Sequence, residues 1–299
     1  MTMSLTKTPR SPIAENIRMF LRSPLAVFGL ALCVLIAAAA IFAPLIAPQN
    51  PYDMMAIDVM DARLAPGETN MTDGYTYLLG TDGQGRDLFS AILYGLRTSL
   101  VVGIGSATIA GVIGIVLGLV AAYAGGKTDA LLMRLVDLVM SLPSILVALL
   151  MLAFFGRGVG NVVITLVLLE WAYYARTARG QALVESRRDY VESARGLGLS
   201  PLRILLGHIL PNCMPPLIVI GTLQIARAIT LEATLSFLGL GVPVTEPSLG
   251  LLVSNGFQYM LSGDYWISFF PGLALLISIV AINLVADRLR DVFNPRALS

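Results

Sequence analysis

The chain has 299 residues, 56% of them hydrophobic and only 13% charged, with a net charge of +1. So apolar a composition excludes a water-soluble domain built around an ordinary core, and makes the bilayer the solvent. Two cysteines, Cys33 and Cys213, both in or beside apolar runs, give no disulfide framework and no paired-cysteine metal site.

The N-terminal stretch 1–24 is basic, and the apolar run behind it, 25–47, is longer than the core of a secretory signal. It reads as a retained first crossing. Segment 48–97 is rich in Pro, Gly, Asp and Met, too long for a hairpin connection, and is expected to fold as a small lobe. With about 20 apolar residues needed per crossing, five more spans follow at 99–124, 136–155, 159–178, 213–237 and 266–286. The expectation is an all-α membrane protein with six transmembrane helices, a five-helix core over 98–286 and a short tail, 287–299.

Six crossings put both termini on one side. With the N-terminus inside, internal segments hold fifteen Lys and Arg residues, from Lys7 to Arg296, against four outside: Arg63, Arg86, Arg97 and Arg157. The first external segment also carries seven acids, so the positive-inside rule makes the termini cytoplasmic. The turn 156–160, Gly-Arg-Gly-Val-Gly, is so short that the spans flanking it should be antiparallel neighbours.

Within the spans, Gly103, Ala107 and Gly111, then Gly114 and Gly118, form a stripe of small residues that predicts close helix packing. Ionisable groups at membrane depth are costly and require a reason. Glu170, beside Trp171, Tyr173 and Tyr174, is expected to pair with a basic residue on another helix. Arg227 is expected to face a solute pathway or a partner helix, because Glu232, five residues on, is at a poor helical pairing interval.

The internal segment from Tyr190 to Asn212 carries the most specific signal. Asp189 is positioned to cap a short helix through Glu192, Ala194 and Leu197, and Gly198 to end it in the left-handed conformation. Ser200-Pro201 restarts a helix with Ser at the N-cap and Pro in the first turn, and Leu202, Ile204, Leu205 and Ile209 furnish its apolar face. The product is a short knob on the cytoplasmic surface, small enough to dock in a groove, against the alternative of an amphipathic helix resting on lipid.

Glu192, Ser193, Ala194, Gly198, Leu210 and Pro211 follow the spacing Glu-x-Ala, Gly six residues later, and Leu-Pro twelve and thirteen after that Gly. This resembles the EAA loop of the membrane subunits of bacterial binding-protein-dependent ATP-binding cassette (ABC) importers, with Ser193 in place of the usual Ala and His208 at a customarily apolar position. Leu79-Gly-Thr-Asp-Gly-Gln-Gly-Arg-Asp87, Gly95-Leu-Arg-Thr-Ser-Leu100, Leu235-Ser-Phe-Leu-Gly-Leu-Gly241 and the tail Asp287-Arg-Leu-Arg-Asp-Val-Phe-Asn-Pro-Arg296 are similar to marks of the dipeptide and oligopeptide permeases, "C" type. The chain departs from many of them at Glu246-Pro-Ser-Leu-Gly250, where they have Pro-Glu-Trp-Gly.

The resemblance implies a type I ABC importer permease in the bacterial inner membrane, with a second homologous permease, two cytoplasmic ATPase subunits and an extracytoplasmic binding protein as partners. It assigns ATPase coupling to Glu192, Ser193, Ala194, Gly198, Leu210 and Pro211, leaves Arg227 as a possible pathway residue, and makes short peptides the expected cargo. Nickel, glutathione or another small solute is the alternative cargo. The chain has no GxxxxGK[ST] phosphate loop, so ATP-Mg belongs to partner subunits, and its single histidine, His208, cannot build a metal cluster or a Ser-His-Asp centre alone. The basic residues follow membrane orientation and form no nucleic-acid stripe. Two readings from other classes are an ion-coupled secondary transporter, which would want matched broken helices in two halves, and a scaffold without a path.

Overall fold

The computed structural model describes residues 12–53, 57–70 and 74–293. Lys7, Arg10 and Arg296 of the orientation argument, and the end of the tail, lie outside the described residues. Apart from two isolated bridges in the lobe, Thr69 with Thr76 and Thr81 with Asp87, every regular element among them is helical.

A short α1 (Pro12–Leu21) leads into α2 (Pro24–Ile41), where Ser23 Oγ accepts from the Ala26 amide and Pro24 opens the helix with the fixed φ its first turn requires. The first expected span breaks at Phe42, and α3 (Ala43–Ile46) is a single turn. The lobe behind it is held by its polar residues. Thr81 Oγ1 donates to the Asp61 carbonyl at 2.5 Å and accepts the Leu64 amide, and Tyr77 donates to Asp61 Oδ2 at 2.8 Å. Arg86 and Asp82 form a buried ion pair at 2.7 Å, so one of the four external cations is an internal strut of the lobe.

The second helix, α4 (Leu88–Ala124), begins at Leu88 rather than near residue 99. Asp87 caps it by accepting the Ser90 amide at 2.8 Å, and Leu88 and Ala91 are fully buried, so its first turns are sheltered by protein. Gly125, at φ 60°, stops it.

The expected span 136–155 is two helices, α5 (Gly126–Ser141) and α6 (Ser144–Phe155), bent by 90°. Pro143 is the cause, since its ring drives the preceding residue out of the helical region and Leu142 sits at φ −85°, ψ 140°. After a turn through Gly156 to Gly158, α7 (Val159–Glu185) packs back on α6, Ala148 and Leu152 meeting Val162, Leu166 and Leu169. The rest of the chain is α8 (Asp189–Gly196), α9 (Pro201–Ile204), a π turn at Leu205–Ile209, α10 (Leu210–Phe237), α11 (Leu249–Phe257) and α12 (Trp266–Val292).

Among the described residues, four runs are long and apolar enough to cross a bilayer: α2, α4, Pro201–Phe237 and α12. The bent α5–α6 pair makes five if it is one span. The remaining predicted crossing falls in α7, which is long enough at 27 residues but carries Asn161, Glu170 and Arg176 and turns much of its surface to protein.

The small-residue stripe on α4 is a packing device shared between two partners. Gly103 lies against Ile229 of α10, while a Cβ on Gly114 or Gly118 would strike the backbone of Trp171 or Ala175 on α7. Two ion pairs, Arg179 with Asp129 and Arg176 with Asp137, fasten α5 along the same helix.

Candidate functional site

Helix α8 starts one residue earlier than the capping rule suggested. Arg188 is its N-cap residue and Asp189 lies in the first turn, contributing charge at the positive helix end instead of a capping bond. Its other end follows the expectation: Gly198 stands at φ 74°, its amide donates to the Arg195 carbonyl at 2.9 Å, and the Leu199 amide donates to Ala194 at 3.2 Å. Those two bonds are the paired C-terminal closure that a left-handed glycine allows. Ser200 is the next N-cap residue in extended conformation with Pro201 behind it, and its side chain makes no capping bond.

The second helix of the knob does not end before the span. It widens into the π turn, where the Leu210 amide reaches back to the Leu205 carbonyl, and continues as α10. Pro211 explains the widening, because it lacks an N–H and its ring would crowd the Gly207 carbonyl in a regular turn. The knob and the long helix are therefore one body. Tyr190 reinforces it: its hydroxyl donates to Glu185 Oε2 at 2.6 Å at the end of α7 and accepts from Asn212 Nδ2 at 3.2 Å in α10.

One apolar cluster joins these parts. Val191, Ala194, Ile204, Ile209, Cys213 and Leu217 are buried against Leu119 of α4 and Ala178 and Ala182 of α7, with Leu199, Leu205 and Leu210 packed at its edge. Of the predicted coupling residues, Ala194 and Leu210 face this cluster, Glu192, Ser193 and Gly198 are exposed on the outer side, and Pro211 lines an apolar groove with Phe20 and Met214. Leu202, expected on the apolar face, is instead 66% exposed, and Leu197 is 81% exposed. The knob thus presents Glu192, Leu197 and Leu202 outward while its inner face is welded to three long helices.

Arg227 is brought to none of these. It is half-buried beside α6 and α7, its guanidinium 4.4 Å from the centroid of the Tyr173 ring, with one terminal nitrogen 3.4 Å from Ser144 Oγ. The expected ion pair on Glu170 is not formed among the described residues: this side chain is 1% exposed, both oxygens lack hydrogen-bond partners there, and Arg227 acts on it only through its field.

Glu232, the third ionisable group at membrane depth, has an account that interval rules missed. Ser99 Oγ of α4 donates to one carboxylate oxygen at 3.0 Å, and Ser236 and Ser248 donate to the other at 2.7 and 2.8 Å. Three hydroxyls satisfy a fully buried carboxylate and pin α10 to α4 and to the start of α11. The Leu235–Gly241 motif builds this clasp. Ser236 supplies a donor, Gly239 at φ 77° reverses the chain, and a Cβ on Gly241 would collide with Ser236 Oγ.

Residues 114–299 match the family model for the binding-protein-dependent transport system inner membrane component, and residues 11–66 match the N-terminal TM domain of oligopeptide transport permease C. The chain is 38% identical over 286 residues to the di/tripeptide transport system permease protein DppC of Pseudomonas aeruginosa, covering 96% of this chain and 93% of that one. It is 40% identical over 295 residues to a putative peptide transport system permease protein of Brucella suis, covering 99% and 96%. With the probable D,D-dipeptide transport system permease protein DdpC of Escherichia coli it shares 38% over 284 residues, 95% of this chain and 92% of that one. Among solved structures, two inward-facing crystal forms of the MetNI methionine ABC transporter superpose with TM-scores of 0.56 and 0.57 at 22% identity, covering 68% of this chain and 96% of theirs, a likeness of fold.

Proposed function

The chain belongs to the family of binding-protein-dependent transport system inner membrane components, and from that membership we propose that it forms half of the path by which short peptides enter a bacterial cell, driven by separate ATPase subunits. Peptide cargo follows from the relatives, which are permeases of peptide transport systems over nearly their whole length. The path is completed by a second homologous permease and fed by an extracytoplasmic binding protein. Six crossings with cytoplasmic termini suit the charge distribution, with α7 as a crossing shielded by its neighbours.

The observation that carries the coupling role is the welding of the knob to α4, α7 and α10 through one buried cluster. A partner that grips Leu197, Leu202 and Glu192 moves a lever whose other face is already packed on the helices that must rearrange. Closure of the ATPases shifts this lever, and the helices follow as rigid bodies to switch the path between its two openings.

Gly198 supplies the test. No atom lies within 4 Å of a Cβ built there, so Gly198→Val costs only backbone strain, about 1–3 kcal/mol for a bulky residue held left-handed. The reconstituted complex should still assemble with its ATPases but lose ATP-driven peptide uptake. Normal uptake by a normally assembled variant would remove the knob from the coupling path.

A further inference from the structure

A guanidinium at membrane depth is expensive unless something compensates it, and Arg227 is compensated in an unusual way. No carboxylate lies within ion-pair distance of it among the described residues. Its charge rests on the face of Tyr173 and in the field of the sealed Glu170, neither of which occupies an N–H group, and its single hydrogen bond among the described residues, to Ser144 Oγ, is a long 3.4 Å. A guanidinium carries five N–H donors in a fork that fits a carboxylate edge-on. Most of that fork is open.

Three elements bring this about. Arg227 comes from α10 and Tyr173 from α7, while Ser144 is the first residue of α6, just past the Pro143 break, where no side chain caps the helix. A carboxylate arriving here would meet the fork, the serine hydroxyl and the uncapped first turn of α6 together. We infer that Arg227, with Ser144 beside it and Tyr173 beneath it, receives the terminal carboxylate of a peptide in transit. This rests on the reading of the chain as a peptide permease.

The test uses the assembled complex with its binding protein and ATPases, in a Cys33→Ala, Cys213→Ala background carrying Ser144→Cys. An anionic methanethiosulfonate reagent should label Cys at this position about tenfold faster than a cationic one of the same size, and Arg227→Gln should abolish the preference. Removing a charge from membrane depth eases folding, so the variant should assemble. Dialanine should slow labelling, whereas neither dialanine amide nor glutamyl-alanine amide, whose only carboxylate is on a side chain, should do so. Labelling indifferent to reagent charge, or unchanged by Arg227→Gln, overturns the site. Equal protection by the amides overturns the terminal carboxylate as its ligand. A retained charge preference in the Cys variant, beside a wild-type complex that hydrolyses ATP yet imports no peptide, overturns the peptide reading instead.

Discussion

Glu232 shows how much one side chain can organise. Replacing it with Ala would leave the hydroxyls of Ser99, Ser236 and Ser248 without their acceptor, an expected loss of about 1–3 kcal/mol, read as a lower thermal midpoint of the purified complex. Glu232→Gln keeps an acceptor oxygen and should lose less; equal losses would reduce the residue to a space filler. Tyr190 offers a second test. Burial, and then its hydrogen bond to Glu185, pushes the phenol from 10.0 up to about 12. The folded value lies above the unfolded one, so the tie between α7 and α8 is complete below pH 10 and is lost as pH rises through about 12. The phenolate absorbance difference between wild type and Tyr190→Phe should titrate near 12; a midpoint at the ordinary tyrosine value would mean the hydroxyl is not held. Of these contacts only Ser236, one turn from Glu232, was open to reading by interval. Ser99 and Ser248 arrive from distant positions through the fold, and no local pattern announces them.

Helices here are punctuated by Gly and Pro, and the punctuation was legible where it acted locally. Gly198, Ser200 and Pro201 behave as their backbone preferences require. Pro143 was equally visible, but a count of apolar residues runs straight through it, which is why one expected span is two helices at 90°. The same count begins α4 too late, because most of Leu88 to Thr98, the exposed Arg97 apart, is sheltered by protein rather than by lipid and need not be uniformly apolar. The knob hid its outward leucines for a related reason, since an apolar residue reserved for a partner reads like one reserved for the core. Close packing of α4 on α7 predicts a contrast between two glycines on one helix. Gly118→Val meets the Ala175 carbonyl and the Ala178 side chain and should cost about 1–3 kcal/mol by overpacking, whereas Gly105→Ala enters open space and should be neutral. Thermal midpoints of the two variants decide this, and equal behaviour would mean the interface is loose.

Across the molecule, charge and apolarity carried different information. Apolar length located the membrane runs and counted 159–178 as a further crossing, although α7, which carries Asn161, Glu170 and Arg176, is less apolar than the four clear runs among the described residues. The asymmetry of Lys and Arg instead assigns a side, and with it the expected face of the knob. A Glu192→Cys variant should therefore react with a membrane-impermeant thiol reagent in inverted vesicles and stay unlabelled in intact cells; labelling from the periplasm would reverse the orientation and with it the coupling role. The wide turn at Leu205–Ile209 has a consequence for how such a lever diversifies. Each residue of a helix advances the azimuth by about 100°, so deleting Gly207 would swing Leu202 around the axis while the stripe of α10 facing α4 stays in place. The same swing would carry Ile204 out of the buried cluster that seats the knob on α4 and α7, so a single-codon insertion or loss at this joint reshapes the outer face only by repacking the inner one.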